Sequence, residues 1–153
     1  MTRQREDLQV VAFCCHYCAY AAADLAGVLR IPYPVEVKIV EIPCSGRFDP
    51  LEVLHILESG ADGVMVAGCL EGDCHFRAGN LNARRRLAHL KCRLQAIGLE
   101  PERIEMYNMS SAMAPQFAQA ATAMAERIRA LGPSPLRLVG AVPVDPGQRS
   151  PEL

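Results

Sequence analysis

The 153-residue chain reads as a single α/β domain: a parallel sheet with helices on both faces, flavodoxin-like or Rossmann-like, built from four strand-helix units. Three observations predict it. Short apolar, β-branched runs alternate with helical patterns, and glycine or proline punctuates the junctions. Half of the residues are hydrophobic, which suffices for one core in a chain too short for two comfortable domains.

The elements follow in order. Leu8 to Phe13 (LQVVAF) has the composition of a strand buried on both faces. Tyr17 to Leu29 is alanine-rich, with Leu25, Val28 and Leu29 on a helical period, and Ile31-Pro32 stops it. Val35 to Ile42 (VEVKIVEI) alternates as a second strand and ends at the turn Pro43-Cys44-Ser45-Gly46. Asp49-Pro50-Leu51-Glu52 combines an N-cap residue, proline at the first helical position and an acid in the first turn. It predicts a helix from about Pro50 to Ser59, closed by Gly60.

Gly63 to Ala67 is a third strand, followed by a glycine-rich loop. Leu87, Leu90, Leu94 and Ile97 then mark one face of a helix from about Asn80 to Ile97, closed by Gly98. Arg103 to Tyr107 is a weaker fourth strand, and Ser110 or Ser111 can cap a last helix that runs to Leu131 before Gly132-Pro133. Residues 1–132 are thus the expected domain. From Pro133 to Leu153 the chain holds five prolines and little periodicity, which predicts a tail that is disordered or orders as a docking arm.

Charge excludes two classes of partner. Sixteen Lys and Arg nearly balance seventeen Asp and Glu, so no global field gathers nucleic acid or anionic membrane. The amino-terminal MTRQREDLQ lacks the apolar core of a secretion leader, and no later segment stays apolar long enough to span a bilayer, which predicts a soluble, cytoplasmic protein. Seven cysteines in such a chain, three of them within five residues, point to metal or redox work in a reducing compartment.

In a sheet of this kind, ligand sites form at the carboxyl ends of the strands, where strand order reverses. Cys14, Cys15 and Cys18 follow the first strand, Cys44 the second, and Cys69 and Cys74 the third. With the first strand between the other two, the outer loops are about 10 Å apart and can bend toward one centre. Cys18 near a helix start favours thiolate, and Gly46, Gly68 and Gly72 let backbone N–H groups approach sulfur. Three chemistries fit these residues: an iron-sulfur centre, a structural zinc site, and a thiol-disulfide exchanger using Cys15 and Cys18. Thiols at the ends of two further strands argue against the exchanger, and a chain able to bury a core has little need of zinc.

Five motifs, in order, carry a resemblance: C-x-x-C-x-Y-x-x-A-D-x-A-G (Cys15 to Gly27), P-C-S-G-R (Pro43 to Arg47), G-A-D-G-V (Gly60 to Val64), G-C-x-x-G-D-C-H (Gly68 to His75) and G-N (Gly79, Asn80). Over about residues 9–132 the chain resembles the delta subunit of methyl-viologen-reducing hydrogenase. The resemblance implies a small electron carrier with a 2Fe-2S cluster. It also implies partners: a heterodisulfide reductase A-type flavin and iron-sulfur subunit of a bifurcating enzyme, and a hydrogenase, formate dehydrogenase or other input module. The family's cysteines match Cys15, Cys18, Cys44, Cys69 and Cys74, one thiol more than such a cluster needs. His16-Tyr17 departs from the pattern, where the family more often has asparagine and tryptophan.

The remaining signals have plainer readings. Cys92 reads as a small buried apolar residue, His55 and His89 as ordinary helix residues, and Gly60-Ala61-Asp62-Gly63 as a helix stop before a strand. His75 reads as a hydrogen-bonding or capping neighbour of the thiols rather than a Rieske-type ligand. Arg84, Arg85, Arg86, Lys91 and Arg93 form either a solvated face or a surface for an acidic partner. The first loop lacks the glycine- and hydroxyl-rich cradle of an FMN phosphate site. The chain is therefore expected to relay electrons with no substrate pocket of its own.

Overall fold

The computed structural model describes residues 8–139. Within them β1 (Val10–Cys15), β2 (Val37–Ile42), β3 (Gly63–Gly68) and β4 (Ile104–Asn108) form one parallel sheet in the order β2-β1-β3-β4. The register runs Val10↔Val37 to Cys15↔Ile42, Val10↔Gly63 to Cys14↔Ala67, and Val64↔Ile104 to Gly68↔Asn108. Parallel pairing needs a crossover between strands. The helices α1 (Ala21–Val28), α2 (Pro50–Glu58) and α3 (Gly79–Ala96) fill the crossovers, and α4 (Ala114–Leu131) and α5 (Pro135–Val139) follow β4. Strand order reverses at β1, as expected of a flavodoxin-like sheet.

Alternating strand residues serve the two faces, because successive side chains point to opposite sides. Val10, Ala12, Met65 and Ala67 join Ala22 and Ala26 of α1 and Phe117, Ala121, Met124 and Ile128 of α4. The many alanines let α1 and α4 pack directly against each other. Phe13, Val64, Val66 and Ile104 join Val53 and Leu57 of α2 and Leu87, Leu90 and Leu94 of α3 on the other face.

Several boundaries differ from the sequence expectation. β1 continues two residues past Phe13, so Cys14 and Cys15 lie within the strand. The helix expected from Tyr17 begins instead as a π-helical turn, His16–Tyr20, that leads into α1. The last helix starts at Ala114, and neither Ser110 nor Ser111 caps it; Met113 holds the N-cap position without a side-chain bond, and Pro115 supplies the helical φ of the first turn. Ile97 leaves the leucine face and is 68% exposed. The reason is the helix ending: Gly98 at φ +81° reverses the chain, Gly98 N–H bonds Gln95 O at 3.1 Å, and Leu99 N–H bonds Leu94 O at 2.9 Å. Leu99, buried, takes the apolar contact in place of Ile97.

Asp62 does more than separate a helix from a strand. Its carboxylate is fully buried and accepts from Gln9 N–H (2.9 Å), Ser134 N–H (2.8 Å) and Arg137 Nη1 (3.3 Å). Arg103, also buried, donates to the carbonyls of Asp62 (3.1 Å), Gly132 (2.9 Å) and Pro133 (3.3 Å). This clasp holds residues 133–139 against the amino ends of the strands. The rest of the segment read as a tail, 140–153, lies outside the described residues.

Candidate metal-sulfur centre

Five cysteines meet at the carboxyl ends of β1, β2 and β3. Cys15 ends β1, Cys18 sits in the π turn, Cys44 precedes a 3-10 turn (Ser45–Arg47), Cys69 follows β3, and Cys74 lies in the loop before α3. All five are buried and free. They fall into two groups. The Sγ atoms of Cys15, Cys18 and Cys69 lie within 4.8 Å of one another, with Cys15 and Cys69 at 3.8 Å. Cys44 and Cys74 converge on the space in front of Gly79: a Cβ there would collide with Cys44 Sγ and stand 3.2 Å from Cys74 Sγ. Cys44 also interacts electrostatically with Cys15, so Cys15 joins the two groups.

Glycines make the approach possible. A Cβ on Gly46 would strike the Gly79 backbone at 2.6 Å from its Cα, so the loop of Cys44 and the start of α3 touch through two residues without side chains. Gly46 N–H then donates to Cys44 Sγ at 3.3 Å. Asn80 fixes the third loop. Its Nδ2 donates to the carbonyls of Cys69 (3.0 Å) and Leu70 (2.9 Å), while Asn108, ending β4, donates to the Cys69 carbonyl at 2.6 Å.

The surroundings set two thiols apart. The Cys18 thiol donates to Cys15 and, with the amides of Tyr17 and Ser45 and the Cys69 thiol, overcomes burial to bring Cys15 down to about 5. Burial works upward on Cys74 too, but the amides of Asn80, Phe76 and Gly79 outweigh it and lower its pKa. Two of these amides are free N–H groups at the start of α3. Cys18 is pushed up by its bond to Cys15 and by burial, and burial also raises Cys69 and Cys44. Each group thus carries one sulfur that favours the thiolate, the form that binds metal.

A soft metal fits this donor set. Thiolates select zinc or iron-sulfur centres over the hard cations, and a tetrahedral ion with bonds of about 2.3 Å places its sulfurs roughly 3.8 Å apart. The Cys15–Cys69 separation has that value. The missing side chain at Gly79 leaves room beside the second pair, and inward amides match the hydrogen bonding that clustered sulfur accepts.

An exposed aromatic cluster neighbours the thiols in sequence, Tyr17 before Cys18 and His75-Phe76 after Cys74. The Tyr17 ring stacks on His75 with centroids 3.9 Å apart and an interplanar angle of 13°, and Phe76 meets Tyr17 edge-on at 5.9 Å. His16 pairs with Glu41 at its side. His75 therefore spends its ring face on Tyr17, and among the described residues the three-sulfur group contains no histidine. Cys14 packs in the core, where burial pushes its thiol up to about 12. Cys92 is exposed on α3, contrary to its expected burial, and joins no thiol group among the described residues.

The family model for the delta subunit of methyl-viologen-reducing hydrogenase matches residues 10–132. The chain belongs to that family. Relatives carrying the same kind of domain fall into two sorts. The vhu iron-sulfur subunit of the F420-non-reducing hydrogenase of Methanocaldococcus jannaschii is 44% identical over 131 residues, covering 86% of this chain and 98% of that protein. The corresponding protein of Methanopyrus kandleri is 48% identical over 128 residues, covering 84% of this chain and 97% of its own. The A-type subunit of the ferredoxin:CoB-CoM heterodisulfide reductase of Methanosarcina mazei is 41% identical over 124 residues, 81% of this chain but 16% of that much longer protein. The delta-subunit family thus occurs both as a free-standing chain and as a stretch of a larger one.

Sequence pattern alone does not reveal Asn80 as the tie on the Cys69 loop, although Gly79-Asn80 is one of the five motifs. Nor does it reveal the closeness of Gly46 and Gly79, which no local pattern announces because the two are 33 positions apart in sequence.

Proposed function

We infer that the chain is a cytoplasmic electron-transfer subunit holding a 2Fe-2S cluster between Cys15 and Cys69 on one side and Cys44 and Cys74 on the other. The observation that carries this reading is the buried, all-thiol centre of five sulfurs in two groups. Such a cluster, when bound, stores one electron reversibly. The chain's part is to supply four thiolates, surround them with amide N–H groups and keep bulk water out. Cys18 is then the fifth thiol, directing its S–H toward the Cys15 sulfur.

The partners on this reading are a hydrogenase, formate dehydrogenase or other input module and a heterodisulfide reductase A-type flavin subunit. The hydrogenase names of the free-standing relatives support the first, and the heterodisulfide reductase chain containing a similar stretch supports the second. On this reading electrons enter and leave through the aromatic cluster of Tyr17, His75 and Phe76, exposed side chains adjacent in sequence to Cys18 and Cys74. No described helix is long and apolar enough to cross a membrane.

The test is anaerobic purification with iron, sulfide and zinc analysis, and visible and EPR spectra before and after dithionite. About two irons per chain and a paramagnetic signal on reduction support the relay. Stoichiometric zinc without colour replaces it with a structural site. Thiol-disulfide exchange that survives Cys44→Ser in metal-free protein replaces it with the exchanger.

A further inference from the structure

We propose that the groove between α2 and α3 is a docking site for an acidic amphipathic helix of a partner protein. The helix α3 carries five cations, Arg84, Arg85, Arg86, Lys91 and Arg93, and no acid in its 18 residues. Two are neutralised within the chain: Arg84 pairs with Glu71, and Lys91 with Glu105. Arg86 donates to the carbonyls of Gly46 (2.6 Å) and Phe48 (3.1 Å), which positions its guanidinium without cancelling the charge. Arg85 and Arg93 meet no carboxylate among the described residues. Three uncompensated guanidiniums thus stand along one helix of a chain whose net charge is −1.

Beside them runs a groove of about 560 Å³. Leu54, Leu90 and Ile97 give it an apolar floor, and Arg86, His89 and Arg93 stand at its edge. Ile97, turned out of the core by the helix ending, offers an anchor that nothing within the described chain covers. The combination selects its occupant. A small metabolite requires polar groups converging in the floor, and here there are none. A nucleic acid would leave the apolar floor unused and finds no Phe, Tyr or Trp in the groove to stack on. A helix with apolar residues on one face and carboxylates beside them satisfies both the floor and the edge, the usual helix-in-groove arrangement. The Arg86 bond to Gly46 puts one end of this site next to the Cys44 loop, and the groove shares no lining residue with the aromatic cluster.

The experiment uses the full chain, purified anaerobically, and a labelled synthetic helical peptide of about five turns with leucines on one face and glutamates flanking them. Fluorescence anisotropy is expected to show saturable binding of this peptide and none of a version with lysines for glutamates. Ile97→Asp and Arg93→Glu are each expected to weaken binding by about tenfold or more. Raising the salt from about 0.05 M to about 0.5 M is expected to weaken it as well. Both substituted positions are exposed, and an unchanged melting temperature verifies each variant's fold. Equal binding of the two peptides, or binding indifferent to both substitutions, overturns the proposal. A dimer in sedimentation that Ile97→Asp dissociates also overturns it, in favour of a second copy of the chain. Metal content is measured on the same samples, so loss of the iron-sulfur reading leaves this outcome readable on its own.

Discussion

Replacing Gly79 by alanine separates the thiol centre from the fold that carries it. Ordinary contacts of the new Cβ fall at 3.4–4 Å, yet it would stand 3.2 Å from Cys74 Sγ and in collision with Cys44 Sγ. Cys74 must yield by a few tenths of an ångström and Cys44 by more. Metal-sulfur distances hold to about 0.2 Å, so both displacements exceed what the centre accepts. The fold is less sensitive. Overpacking costs about 1–3 kcal/mol, while alanine gains up to roughly 1 kcal/mol over glycine in a helix, leaving a net loss of about 0–3 kcal/mol.

The assay is iron and sulfide per chain with the visible spectrum, set against urea unfolding of the metal-free proteins. Gly79→Ala is expected to lose most of its iron while its metal-free form stays folded. Gly27→Ala, whose Cβ meets nothing within 4 Å, is the control and is expected to keep its iron. Full iron with an unchanged spectrum in Gly79→Ala would refute the placement of Cys44 and Cys74 around a shared centre.

Cys69→Ser and Cys74→Ser are expected to abolish the visible spectrum, whereas Cys18→Ala and Cys14→Ala keep iron; a colourless Cys18→Ala protein would make Cys18 a ligand. Asp62→Ala strands the amides of Gln9 and Ser134 and should cost about 2–4 kcal/mol in urea unfolding, measured at the midpoint. A midpoint like that of the unaltered chain would mean that water replaces the carboxylate without loss. Burial opposes ionisation of Glu105, but Lys91, the Met106 amide and Arg127 together lower its pKa below the ordinary 4.5. Its contribution is therefore complete above that value and lost as pH falls through the lowered one, so the stability difference between the chain and Glu105→Gln should shrink in acid.

The sheet was legible because β1, β2 and β3 are short runs rich in β-branched residues set between helical patterns, and the convergence of the thiols followed from their places after three parallel strands. What escaped depends on contacts distant in sequence. The π turn at His16 leaves no mark on an alanine-rich periodicity. Ile97 obeys the leucine spacing and is expelled only because Gly98 turns the chain so that Leu99 fills the site. Asp62 looked like punctuation because its partners, Gln9 and Ser134, lie 53 and 72 positions away. The division of the thiols into a trio and a pair likewise depends on Gly46 meeting Gly79 across the loop, a packing relation that spacing along one strand cannot encode.

The Asp62 clasp gives the molecule two poles with different duties. Residues 133–139 are held at the amino ends of the strands by Asp62 and Arg103, while the five sulfurs of the centre gather at the carboxyl ends. The pole that holds the last described helix is therefore not the pole that holds the sulfurs. Such a division of labour suits a domain that stands alone as well as one built into a longer chain, and proteins similar to this one occur in both forms.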